Sequence, residues 1–220
     1  MPSGSPISRR DAAIPAGTVS LPGSLARPAE VRGVVAFAHG SGSSRHSPRN
    51  QYVASVLGQA GLGTLLFDLL TEAEAADRRN VFDIPLLSRR LIAAVRWLRS
   101  VPELSETPVG LFGASTGAGA ALMAAAEEPG IGAVVSRGGR PDLAGDHLGR
   151  VRAPTLLIVG GDDAPVLALN EEALLKLRCE KRLAVVEGAT HLFEEPGTLE
   201  EAARLGAEWF ARHLGPRADT

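Results

Sequence analysis

Ser115 sits in Gly113-Ala114-Ser115-Thr116-Gly117. In this Gly-x-Ser-x-Gly spacing, small neighbours permit a sharp strand-to-helix turn that exposes the serine oxygen for attack on a carbonyl. A serine hydroxyl is a weak nucleophile unless an adjacent base takes its proton. The chain has five histidines, His39, His46, His147, His191 and His213. Only His191 falls between the last apolar run and the C-terminal helical stretch, downstream of the serine and of an acid pair. That pair, Asp162 and Asp163, supplies the carboxylate that would hold an imidazole tautomer and stabilise the imidazolium. Asp142 and Asp146 are the alternative acids. Arg45, Arg49, Arg137 and Arg140 lie in or beside loops of the same kind. A lone surface arginine is ordinarily a solubilising charge, but Arg45, Arg137 and Arg140 are candidates to receive a substrate carboxylate through charge-assisted hydrogen bonds.

The elements that must position these groups follow from the apolar pattern. Short apolar runs at Val31 to Ala38, Gly63 to Leu69, Pro108 to Gly113, Ile131 to Ser136, Pro154 to Val159 and Leu183 to Val186 read as strands. Helical stretches fall near Gln51 to Ala60, Ile84 to Ser100, Gly117 to Glu128, Val166 to Leu177 and Leu199 to Leu214. In the last of these, Leu199, Ala202, Gly206, Phe210 and Leu214 form an apolar stripe, which leaves His213 toward solvent. Apolar strands alternating with helices predict a doubly wound, mainly parallel sheet with helices on both faces. Chemistry in such a sheet lies beyond the carboxyl ends of the strands. His39-Gly40-Ser41-Gly42-Ser43-Ser44, the Ser115 turn, Gly160-Gly161-Asp162-Asp163 and Gly188-Ala189-Thr190-His191 all emerge there.

Upstream, Ala16 to Leu21 reads as a first strand, with Pro22-Gly23 as its closing turn. Residues 1–15 read as a flexible segment, 16–215 as one domain and 216–220 as a flexible tail. Only residues 137 to 153 separate the strand after the Ser115 helix from the next strand, which leaves no room for a lid domain.

A rival reading takes Gly113, Gly117 and Gly119 as the Gly-x-x-x-Gly-x-Gly loop of a short-chain dehydrogenase. Such a loop follows the first strand of its unit, and an acidic residue follows the next strand. Here at least two strands come first, and the next one ends at Ser136-Arg137. The Tyr-x-x-x-Lys partner is also impossible, because the only tyrosine, Tyr52, has Val56 four positions on.

Bulk properties narrow the remaining classes. With 45% hydrophobic residues and a formal charge of −2 in 220 residues, the chain can bury a sizeable core and has no net field toward nucleic acid or an anionic membrane. The single cysteine, Cys179, excludes an internal disulfide framework and reads as a packing residue. The sequence has no Walker A loop, no His-Glu-x-x-His and no other metal-ligand spacing. The opening residues lack the apolar run of a secretory signal. These features predict a cytoplasmic enzyme with a small-molecule partner and no cofactor or metal, with no indication of oligomeric state.

The sequence resembles the dienelactone hydrolase family of the α/β-hydrolases from about Ala16 to Leu214. The likeness rests on His39-Gly40-Ser41-Gly42-Ser43-Ser44-Arg45, the Ser115 turn, Ser136-Arg137-Gly138-Gly139-Arg140-Pro141-Asp142-Leu143, Leu157-Ile158-Val159-Gly160-Gly161-Asp162-Asp163 and Gly188-Ala189-Thr190-His191-Leu192-Phe193. It is similar to a branch in which some members are fused to phosphoribosyltransferases. The resemblance implies the order Ser115, Asp163, His191 for nucleophile, acid and base. Asp163 fits the family spacing Gly-x-x-Asp-x-x-Val, with Asp162 capping the turn. The resemblance further implies an oxyanion hole built from the amides of Ser41 and Thr116, with Gly42 as the near alternative, and His39 bracing the loop. The enzymes that named the family use cysteine where this chain has Ser115, so the expected activity is hydrolysis of a small carboxylic ester. Thioesters and lactones are alternatives, and a catalytically silent binding module is the rival from another class.

Overall fold

Val34-Val35-Ala36-Phe37-Ala38 has no polar side chain and is buried at every position. A strand of this kind is stable only with both neighbours paired and both faces covered. The computed structural model, which describes residues 7–215, gives it both. Eight strands form one sheet: β1 (Ser8–Ala16), β2 (Val19–Arg27), β3 (Val34–Ala38), β4 (Gly63–Phe67), β5 (Val109–Ala114), β6 (Ile131–Arg137), β7 (Thr155–Gly160) and β8 (Lys181–Val186). Their order is β1-β2-β4-β3-β5-β6-β7-β8. β2 is antiparallel to β1 and β4, and every pair from β4 onward is parallel.

The helices are α1 (Pro48–Gln59), α2 (Glu72–Ala75), α3 (Arg78–Val81), α4 (Ile84–Ser100), α5 (Thr116–Glu127), α6 (Ala164–Lys176) and α7 (Thr198–Leu214), with a 3-10 segment over Pro141–Arg150. Side chains alternate along β3, and two separate cores result. Val35 and Phe37 pack with α1 and α7, whereas Val34, Ala36 and Ala38 pack with α4 and α5. Space on the α7 side comes from Gly110, where a Cβ would lie 2.7 Å from the Phe210 ring. The glycines of the rival dinucleotide loop serve the same purpose. A Cβ on Gly117 would meet the Ala38 carbonyl at 2.2 Å, and one on Gly119 would meet Leu143 Cβ at 2.8 Å.

The amino-terminal expectations need correction. Residues 8–15, read as part of a flexible segment, belong to β1, while residues 1–6 and 216–220 lie outside the described residues. The strand expected over Ala16 to Leu21 is broken by a two-residue turn at Gly17-Thr18, where Gly17 adopts φ +73°. A positive φ at the first turn residue is one that glycine adopts without steric cost and that suits a tight hairpin. Pro22 and Gly23 belong to β2. Ile14 and Phe67 crowd the Gly23 Cα, where a Cβ would lie 2.9 Å from each, so this glycine marks a close approach and not a turn. His213 is also not on the solvent side: its side chain is 10% exposed and its ring lies 4.5 Å from that of Trp209.

Candidate active site

The turn between β5 and α5 holds Ser115 at φ 51° and ψ −123°. Such a conformation costs a non-glycine residue on the order of 1–3 kcal/mol and persists only when its surroundings over-determine it. Here the Ser115 amide donates to Arg137 O at 3.3 Å, and the amides of Ala118 and Arg140 donate to its carbonyl. Steric room comes from Gly113, whose Cβ would lie 2.4 Å from Ala118 Cα, and from Gly40, whose Cβ would lie 3.0 Å from Ser115 Cβ.

His191 occupies the loop from β8 to α7. Its Nε2 is 3.3 Å from Ser115 Oγ, and its Nδ1 is 2.7 Å from Asp163 Oδ2. With the Nδ1 proton donated to the carboxylate, the Nε2 lone pair faces the serine hydroxyl, the tautomer a base at this position requires. Asp163 immediately precedes α6 and makes no side-chain capping bond to it, and its side chain is 11% exposed. Asp162 is exposed, and its amide donates to Ala189 O. Asp142 is engaged by Arg140, and Asp146 is exposed. The histidine loop has supports that the sequence did not suggest. Glu195 accepts from the amide and hydroxyl of Thr190 at 3.0 and 2.7 Å, and buried Phe193 is held at φ 56°.

The Ser41 amide lies beside this turn but donates to Thr116 Oγ1 at 2.9 Å. Thr116 is the first residue of α5, so no carbonyl of that helix can accept its amide, and α5 presents its positive end there. His39 braces the loop: Nδ1 lies 3.0 Å from Gly40 O, and Nε2 accepts from the Leu69 amide at 3.1 Å. Burial holds this imidazole below its ordinary range, which keeps Nε2 able to accept.

The arginines differ in their surroundings. Arg45 is bonded to Asp68 through its amide and guanidinium, and Arg140 makes a bidentate pair with Asp142 at 2.7 and 2.8 Å. Neither lines the cavity of about 250 Å³ in front of Ser115, whose walls include Ser41, Arg49, Asn50, Arg137 and His191. Arg137 is 6% exposed, lies 5.5 Å above the Phe193 ring, and makes one long bond, 3.4 Å, to Asn50 Oδ1. Its Nε has no partner among the described residues. Burial, with Arg49 nearby, pushes its guanidinium down to about 10. Arg49, which the sequence placed beside the active edge without a binding role, and Asn50, which it did not single out, also line the cavity. Their signal was the Ser47-Pro48 start of α1, which turns both toward the Ser115 edge. No cluster of metal-ligating side chains occurs among the described residues, and no described helix is long and apolar enough to cross a membrane.

The sheet order, the two helical layers and the elbow at the end of β5 together define an α/β-hydrolase fold. The family model for dienelactone hydrolases matches residues 22–213, and the chain belongs to that family. A dienelactone hydrolase from Anabaena variabilis is 55% identical and superposes with a TM-score of 0.93, over 94% of this chain and 99% of that one. A curated protein from Mycobacterium tuberculosis, provisionally named a phosphoribosyl transferase, is 59% identical over 213 residues. That match covers 96% of this chain and 48% of the relative, so the chain spans about half the length of the curated relatives it matches. An esterase from Pyrococcus furiosus, 20% identical with a TM-score of 0.78 over 95% of this chain and 94% of its own, shares the fold.

Proposed function

We propose that this protein is a serine hydrolase of small carboxylic esters, with Ser115 as nucleophile, His191 as general base and Asp163 as the acid that orients it. The observation that carries this reading is the unbroken chain of short contacts from Ser115 Oγ through the His191 ring to Asp163. Ser115 Oγ attacks the ester carbonyl as His191 Nε2 takes its proton. The amide of Thr116 stabilises the oxyanion, joined by that of Ser41 once the Thr116 hydroxyl turns aside, with Gly42 as the alternative donor. Protonated His191 then returns the proton to the leaving alcohol, and a water activated by the same ring releases the acid from the acyl-enzyme. No cofactor enters these steps.

Arg137 is the arginine that would receive a substrate carboxylate, since Arg45 and Arg140 already have carboxylate partners. A small-molecule ester in a cytoplasmic setting, without nucleic acid or membrane, completes the reading. Phosphoribosyl transfer is attached by name to relatives about twice as long and is not proposed for this domain.

Pre-steady-state hydrolysis of p-nitrophenyl butyrate tests the reading. A burst of p-nitrophenol of one equivalent or less, lost in Ser115→Ala, is expected. Equal turnover by a folded Ser115→Ala variant would overturn it, and absence of turnover or labelling on any ester or thioester would favour a silent binding fold.

A further inference from the structure

A second cavity, about 400 Å³, lies on the other side of the Gly40–Ser43 loop from the Ser115 cavity. The two share Gly40, Ser41 and Ser43 as walls, and Gly40 packs directly on Ser115. Their linings differ in charge balance. The far chamber has an apolar floor of Leu69, Leu70 and Leu87, closed over by Ala75 of α2 and Val81 of α3. Its acids are Asp68, already bonded to Arg45, and Glu72. Its basic groups are Arg45, neutralised by Asp68, and the imidazoles of His39 and His46, so among the described residues an anion entering it meets no guanidinium without a carboxylate partner. Among the described residues, the Ser115 cavity holds two guanidiniums, Arg137 with no carboxylate partner and Arg49 paired with the exposed Glu194 at 3.3 Å, and no carboxylate lines its wall.

The position of His191 orients a substrate between the two. The ring that takes the serine proton must return it to the leaving oxygen, so the leaving group lies on the histidine side of the scissile bond. His191 and Leu192 line the Arg137 cavity and not the far chamber. We infer that the substrate is an ester of defined polarity: its apolar acyl group crosses the Gly40–Ser41 loop into the chamber under α2 and α3, and its alcohol half carries an anionic group received by Arg137 and Arg49. This inference rests on the proposed serine mechanism and adds to it which half of the ester bears the charge.

The test uses two constitutional isomers, 3-carboxyphenyl butyrate with the carboxylate on the alcohol half and monophenyl glutarate with it on the acyl half. Wild-type kcat/KM is expected to favour the first by at least about tenfold, in keeping with a charge-assisted contact. Arg137→Met should bring that ratio close to one, and Arg49→Gln, on a half-exposed side chain, should lower it in the same direction without risk to the core. With 3-carboxyphenyl acetate, butyrate and hexanoate, kcat/KM should rise about fourfold per buried methylene until the chamber fills. Ala75→Phe, at an exposed wall position, should flatten that rise. A preference for monophenyl glutarate, a ratio unmoved by both arginine variants, or a chain-length profile unmoved by Ala75→Phe would overturn the assignment. Loss of phenyl butyrate turnover in Ser115→Ala stands apart from these ratios, so failure of the serine mechanism and failure of the polarity are read separately.

Discussion

The ends of β5 and β6 are neighbours in the sheet, with Ala114 paired to Arg137, yet they are finished in opposite ways. At the end of β5 the backbone is strained and the side chains are satisfied: Ser115 meets His191, and His191 meets Asp163. At the end of β6 the positive φ falls on Gly138, which as a glycine adopts it without strain, and the buried guanidinium of Arg137 has no carboxylate partner among the described residues. The difference separates two tasks. A reacting group must be held in geometry before the substrate arrives, whereas a recognising group keeps its affinity by leaving its charge uncompensated until a ligand supplies the counter-charge.

The largest effect expected at the β5 end is that of Ser115→Ala, which should lower kcat by roughly 10⁴- to 10⁶-fold with an unchanged circular dichroism spectrum. Asp163→Asn should cost roughly 10³- to 10⁴-fold through the wrong imidazole tautomer, while Asp162→Asn costs less than about threefold. The reverse ranking in steady-state assays would move the acid by one residue.

At the β6 end the prediction changes sign. A guanidinium pushed down to about 10 is disfavoured as a cation in the folded state. At neutral pH the protein therefore carries a penalty of roughly 3 kcal/mol, fully present below pH 10 and relieved only as pH rises beyond it. Arg137→Met should raise the melting temperature by several degrees while losing recognition of the anionic ester. A lower melting temperature would mean that stacking on Phe193 outweighs the buried charge.

The smallest effect belongs to His39. Its folded-state value is depressed by burial, so the unfolded chain takes up the proton first. Stability is then full above about pH 6.5 and declines as pH falls below it. Urea denaturation between pH 7.5 and 5 should show a loss that His39→Gln reduces.

What could be read from the sequence follows the same division. Ser115, His191 and Asp163 could be singled out because each stands just after an apolar run, and the three lie at bonding distance. Strands β3, β5 and β7 were legible because nothing polar interrupts them. β1 and β2 were not, because Pro15, Pro22 and Gly23 look like turn residues until the hairpin register and the packing of Ile14 and Phe67 against Gly23 are known. Arg137 could not be told from Arg45, whose partner Asp68 is 23 residues away, although the local Arg140-Pro141-Asp142 pairing was open to reading.

The central claim is that Ser115 is a nucleophile activated by His191. Intact-protein and peptide mass spectrometry after reaction with a fluorophosphonate tests it most directly. The account predicts one adduct per chain, confined to the peptide bearing Ser115, absent in Ser115→Ala and formed far more slowly in His191→Ala. An adduct elsewhere, or equal labelling of the Ser115→Ala protein, would contradict it.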